Sequence, residues 1–137
     1  FEPTVISIGR GTSFPFQVVG YPDSTLGEFS FTPVSIEGVS KYPKHQDIEC
    51  FGEDLRSEPA VNGLDLSLLM KYFELMGSNE DFFRSPDYFD KLAGTDRVRK
   101  MMLEGKSLEE ITLSWQEDLD SYKVMRKKYL LYPDFEQ

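Results

Sequence analysis

One cysteine, Cys50, stands in 137 residues, so the chain can form no internal disulfide and no cysteine-based zinc site. A disulfide-braced mini-protein is excluded. The single histidine, His45, rules out a histidine-rich metal centre and leaves one possible base for a Ser-His-Asp triad, while no Ser sits in a Gly-x-Ser-x-Gly elbow. Neither a metal nor a cofactor is expected. Positive charge is scarce: 15 Lys and Arg face 24 Asp and Glu, a net charge of −9, which sets nucleic acid and anionic membrane surfaces aside as partners. A long apolar run is lacking too. The best candidate, Leu64 to Met76, is broken by Asp65, Lys71 and Glu74 and falls short of the roughly 20 residues that cross a bilayer, so no membrane insertion is expected.

What remains is ample for a folded core. Hydrophobic residues make up 39% of the chain, and 11 Phe, 7 Tyr and 1 Trp supply large side chains to bury, which excludes disorder and collagen-like or coiled-coil rods. The length fits one domain spanning residues 1–137. The chain opens in mid-pattern at Phe1-Glu2-Pro3-Thr4-Val5-Ile6, with no initiating Met and no charged-then-apolar leader, and a piece of a longer protein is expected.

The chain divides near Gly63. Residues 1–63 hold 7 of the 10 Gly and 6 of the 8 Pro, interleaved with short β-branched and aromatic runs. Strands are expected at Thr4–Ile8, Phe16–Val19, Glu28–Phe31 and Ile48–Phe51, with connections at Gly20–Asp23 and Tyr42–His45 and a stop at Pro33. After Gly63 the apolar period becomes helical. Leu69, Tyr72, Phe73 and Met76 mark a helix opened by Asp65 and closed by Gly77; Ser85-Pro86-Asp87 opens a second, ended by Gly94; and Thr95-Asp96 caps a third, closed by Gly105. Ser107 and Glu110 have capping-box spacing, and the stripe Leu108, Ile111, Trp115, Leu119, Tyr122, Met125 and Tyr129 predicts one long helix reaching the Leu130–Pro133 stop, its aromatic face in the core. Strands before helices define an α+β fold: a small, mostly antiparallel sheet from strand-rich 1–63 packed on three or four helices from helix-rich 64–137.

Chemistry-bearing candidates are few. Gly9-Arg10-Gly11-Thr12 places an Arg between two glycines, which suits either a structural turn with an outward or salt-bridged Arg, or a place where a guanidinium meets a carboxylate or sugar hydroxyls. No Lys-Ser/Thr pair or helix follows, so this is not a phosphate loop. His45, in a Pro-Lys-His-Gln loop, suits a hydrogen-bonded side chain better than a catalytic base. The acidic pairs Glu109-Glu110 and Asp118-Asp120 lie on a polar helix face. A glycosidase needs two carboxyls across a sugar, and Glu2, Glu49 and Glu53 lie in the β half with nothing in the sequence to pair them.

Two stretches resemble a known family. Phe1-Glu2-Pro3-Thr4-Val5-Ile6-Ser7-Ile8-Gly9-Arg10-Gly11-Thr12, followed by Pro15-Phe16 and Gly20-Tyr21-Pro22, is similar to the Glu-Gly-Thr-Asn, Gly-Arg-Gly-Thr, Pro-Phe and Gly-Ala-Pro signature of the peptidoglycan exo-β-N-acetylmuramidases, the NamZ-like proteins once catalogued as a domain of unknown function. Phe89-Asp90-Lys91-Leu92-Ala93-Gly94-Thr95-Asp96, then Gly105–Ile111, Trp115 and Arg126–Tyr132, resemble it more specifically. Pro3 and Val5 depart from the family's Gly and Asn, altering a backbone turn and a polar contact beside Glu2.

The resemblance covers nearly the whole chain and only the C-terminal part of such proteins. It implies an N-terminal Rossmann-like partner domain that carries the chief catalytic Glu, a substrate groove between the two domains, a peptidoglycan-derived saccharide ending in N-acetylmuramic acid, and a periplasmic or secreted location. On this reading Arg10 and Thr12 are the leading substrate contacts, Glu2 and His45 secondary ones, with Glu2 a secondary catalytic candidate. The chain alone is expected to be inactive. The alternatives are a non-catalytic glycan-binding or interdomain docking module and a plain protein-interaction domain. Arg10 on an open concave face near Glu2 or His45 favours the first reading; Arg10 paired inside the domain favours docking.

Overall fold

A computed structural model describes residues 1–59, 61 and 63–134. Three short strands, β1 (Val18–Tyr21), β2 (Phe29–Phe31) and β3 (Cys50–Asp54), form an antiparallel sheet in the order β1-β3-β2. The central β3 pairs Val18 with Asp54 through Tyr21 with Phe51 on one side, and Phe29 with Gly52 through Phe31 with Cys50 on the other. Helices α1 (Ser67–Leu75), α2 (Pro86–Ala93), α3 (Arg97–Leu103), α4 (Leu108–Leu113) and α5 (Gln116–Arg126) follow. The α+β architecture and the switch of period near Gly63 match the sequence reading.

Strand alternation sorts the core into two clusters. Val19 joins the main one, with Ile6, Leu69, Tyr72, Phe73, Phe82, Phe83, Phe89, Met102 and Ile111, whereas its neighbour Val18 points the other way into a small cluster with Phe31 and Cys50. Phe73, Phe82, Phe83 and Phe89 meet ring to ring at 4.9–5.7 Å and tie α1 and α2 together.

Helix punctuation follows the sequence closely. The Asp65 carboxylate accepts from the Ser67 amide at 2.7 Å, and Ser107 and Glu110 complete a reciprocal capping box. Gly77 and Gly105 adopt positive φ, and the next amides reach back five residues, Ser78 to Phe73 and Lys106 to Met101, closing α1 and α3.

Three of the expected strands are corrected. Thr4–Ile8 is a buried loop with a single bridge, Ser7 to Gly20, because its polar groups are claimed elsewhere: the Lys44 ammonium donates to the Thr4 and Ile6 carbonyls at 2.5 and 2.6 Å, and the Val5 amide donates to Phe82. The next strand is displaced two residues, to Val18–Tyr21, since Phe16 sits at φ 65°, outside the extended region; Gly20 and Tyr21, read as a connection, belong to it. Likewise β3 starts two residues after Ile48.

The expected long helix is two. The chain leaves helical geometry at Trp115 (φ −112°, ψ 1°), where the Ser114 carbonyl turns to accept from the Arg97 guanidinium at 2.8 Å. The break ends the stripe's common face. Ile111 is fully buried and Trp115 half-buried against the main core, but α5 buries no residue, and Leu119, Tyr122, Met125 and Tyr129 are exposed. Among the described residues, no helix is long and apolar enough to cross a membrane.

Candidate functional site

The Gly9-Arg10-Gly11-Thr12 turn stands at the wall of an open cleft of about 430 Å³. Gly9 (φ 74°) and Gly11 (φ 86°) are required there. Each has a left-handed backbone, and a Cβ on Gly11 would lie 2.6 Å from the Val34 carbonyl oxygen and 2.7 Å from the Pro43 ring. The Thr12 hydroxyl locks the turn by donating to the Gly9 carbonyl at 2.6 Å and accepting from the Phe14 amide at 3.2 Å. Arg10 is thereby projected outward, with its guanidinium 3.3 Å from a Glu2 carboxylate oxygen and 5.8 Å from the centre of the exposed Phe16 ring.

The cleft is cationic in an acidic protein. Arg10, Lys41, Lys44 and Arg84 line it against the one carboxylate of Glu2, with Tyr42 and Tyr88 as aromatic walls. Lys44 is internal to the architecture: its ammonium gathers the carbonyls of Phe1, Glu2, Thr4 and Ile6 and so shapes the segment that carries Glu2. Burial, reinforced by the nearby charge of Arg84, pushes its pKa down to about 8. Concentrating like charge in this way costs stability, which is the pattern expected of a site arranged for an anion.

Of the residues expected from sequence, the structure brings Glu2 and Arg10 together on the cleft. Thr12 and His45 do not line it. The His45 Nε2 donates to the Val5 carbonyl at 2.7 Å and its ring abuts Tyr21 edge-on, so the imidazole holds the N-terminal loop to the sheet; burial, then the charges of Lys44 and Arg84, keep its pKa below the usual value despite the Val5 bond. Glu53 is bound to Lys71 at 2.7 Å, Glu49 is exposed, and neither lines the cleft. Sequence reasoning passed over Lys41, Lys44 and Arg84. The Lys41-Tyr42-Pro43-Lys44 run held a local signal, basic and aromatic residues in one loop, whereas Arg84 lies 74 positions after Arg10 and nothing local links them. No cluster of His, Cys, Asp and Glu able to hold a metal occurs among the described residues.

A second groove, about 640 Å³, is apolar and lined by Phe1, Leu66, Leu69, Phe89, Trp115 and Leu119 among others.

Comparison with known proteins first places the chain in a class. It superimposes on a DUF1343 family protein from Bacteroides fragilis, known from a crystal structure, with a TM-score of 0.85 and 41% identity, covering 98% of this chain and 38% of that one. It is also 35% identical to the peptidoglycan β-N-acetylmuramidase NamZ of Bacillus subtilis, over 96% of this chain and 35% of that protein. The chain thus spans little more than a third of the length of either relative. Its family follows from the match over residues 1–132: the chain belongs to the family described as exo-β-N-acetylmuramidase NamZ, C-terminal.

Proposed function

We propose that this chain is the part of an exo-β-N-acetylmuramidase that completes the substrate cleft, receiving the non-reducing-end N-acetylmuramic acid of peptidoglycan fragments while an N-terminal, Rossmann-like domain supplies the chief catalytic carboxyl. The observation that carries this reading is the Glu2–Arg10 pair on the open wall of a cleft with four cations and one carboxylate, in a chain of net charge −9. N-acetylmuramic acid differs from N-acetylglucosamine by a lactyl ether bearing a carboxylate, and a guanidinium fork matches that group. Arg10 is half exposed and holds Glu2 through one 3.3 Å contact, so an incoming carboxylate displaces a weak partner. Thr12 and His45 serve by fixing the loops that present the pair. On this reading the full-length enzyme works in the periplasm or is secreted, where peptidoglycan fragments are released.

The apolar groove along Phe1, Leu66, Trp115 and Leu119 favours a second reading, in which the chain chiefly docks its partner domain. The two separate in one experiment. Full-length protein is expected to release N-acetylmuramic acid from a muramyl disaccharide, and residues 1–137 alone to release none above a buffer control, because hydrolysis needs two facing carboxyls. An Arg10 variant that keeps full activity in the full-length protein leaves docking as the function.

A further inference from the structure

Four cations line the cleft, and three are already engaged. Arg10 is opposed by Glu2, Lys44 spends its ammonium on backbone carbonyls, and Lys41 lies 5.5 Å over the Tyr42 ring on an exposed loop. Arg84 makes no hydrogen bond and no ion pair among the described residues, although 24 acidic residues are available in the chain. Burial, with the charge of Arg84 added to it, depresses the proton affinity of both Lys44 and His45.

This unpaired guanidinium is held on a fixed base. The Val5 amide donates to the Phe82 carbonyl at 2.9 Å and the Ser85 amide to the Pro3 carbonyl at 3.0 Å, so the backbone on either side of Arg84 is stitched to the segment on either side of Thr4, two residues past Glu2. Phe82 and Phe83, 1% and 5% exposed, anchor the same stretch in the core, and Ser85 leads into α2. Arg84 is exposed, so its guanidinium is open to an anion entering the cation-rich cleft that it lines. A rigid base also spares a ligand part of the ordering cost of binding.

We infer that Arg84 is a specificity-determining residue of the cleft, meeting the lactyl carboxylate of N-acetylmuramic acid together with Arg10. The inference rests on the functional reading above and adds a residue to it: Arg84 joins Arg10 in selecting the acid-bearing sugar.

Binding tests the assignment, and hydrolysis tests the reading beneath it. Full-length protein is titrated calorimetrically with N-acetylmuramic acid and with its lactyl amide, as wild type, Arg84→Gln and Arg84→Lys. Wild type is expected to prefer the acid; Arg84→Gln to weaken acid binding about ten- to a hundredfold while changing amide binding less than about twofold; and Arg84→Lys, which keeps charge without the fork, to fall between. Equal affinity of wild type for acid and amide, or an Arg84→Gln variant that binds the acid normally or loses both ligands alike with an unchanged melting temperature, overturns the assignment. A wild type that selects the acid through Arg84 and yet hydrolyses no muramyl disaccharide contradicts the enzymatic reading and leaves the acid-binding role standing.

Discussion

Arg10 and Glu2 approach to 3.3 Å on the cleft wall with both side chains about half exposed, at 48% and 40%. Their contact is one oxygen on one guanidinium nitrogen, not a closed fork, in solvent that screens it. A pair of this kind contributes about 0–1 kcal/mol to stability, so folding gains little from it and a ligand can open it cheaply.

Replacing Arg10 by Lys in the full-length protein keeps the charge and removes the planar pair of donors. A hydrogen bond to a charged group is worth about 1.5–3 kcal/mol, so kcat/KM on a β-N-acetylmuramide is expected to fall about ten- to a hundredfold. The matching N-acetylglucosaminide, which has no carboxylate, is expected to lose almost nothing. Equal losses on both glycosides mean that Arg10 holds the turn instead of the substrate.

The pH dependence of stability should carry the mark of Lys44. Its folded pKa of about 8 lies below the 10.5 of a free lysine, because burial and Arg84 disfavour the charged form. Between those values the unfolded chain binds more protons than the folded one, so this residue makes stability rise with pH from about 8 to 10.5, and its penalty is fully present below 8. Denaturation midpoints measured across that window should climb more steeply for wild type than for Lys44→Met. Parallel slopes contradict the shift.

Cys50 should be inert. It is fully buried in the small cluster with Val18 and Phe31, and burial pushes its thiol up to about 11, leaving a thiolate fraction of about one in a thousand at pH 8. Alkylation by iodoacetamide followed by mass spectrometry should find Cys50 unmodified in native protein and modified in denaturant; rapid native labelling would place the thiol at the surface.

Core and groove should respond differently to truncation. Phe82→Ala, at a position 1% exposed against the Phe73 and Phe83 rings, is expected to cost about 3–5 kcal/mol. Trp115→Ala removes a half-buried side chain at the groove's edge and should cost less, about 1–2 kcal/mol. Urea titrations of the two variants decide; equal losses would put Trp115 in the core after all.

Local signals were the legible ones. Asp65, Gly77, Gly94, Gly105 and the Ser107–Glu110 box act within a few residues, and each stands at the helix end where the sequence puts it. The errors came from groups distant in sequence. Thr4–Ile8 has the composition of a strand, but Lys44, 38 to 40 positions away, takes two of its carbonyls; the stripe through Trp115 is helical in period, but Arg97 draws off the Ser114 carbonyl and the helix breaks. The site divides in the same way. Arg10 between glycines was visible as a turn and Glu2 as its neighbour, whereas Arg84 joins them only through backbone bonds between residues 3–5 and 82–85.

The most direct test of the central claim is a crystal structure of the full-length protein with N-acetylmuramic acid bound. The sugar is expected in the cleft of this domain, with its lactyl carboxylate within hydrogen-bonding distance of Arg84 and the Glu2–Arg10 pair beside it. A sugar whose carboxylate is met wholly by the partner domain, with the cleft of Arg10 and Arg84 unoccupied, contradicts it.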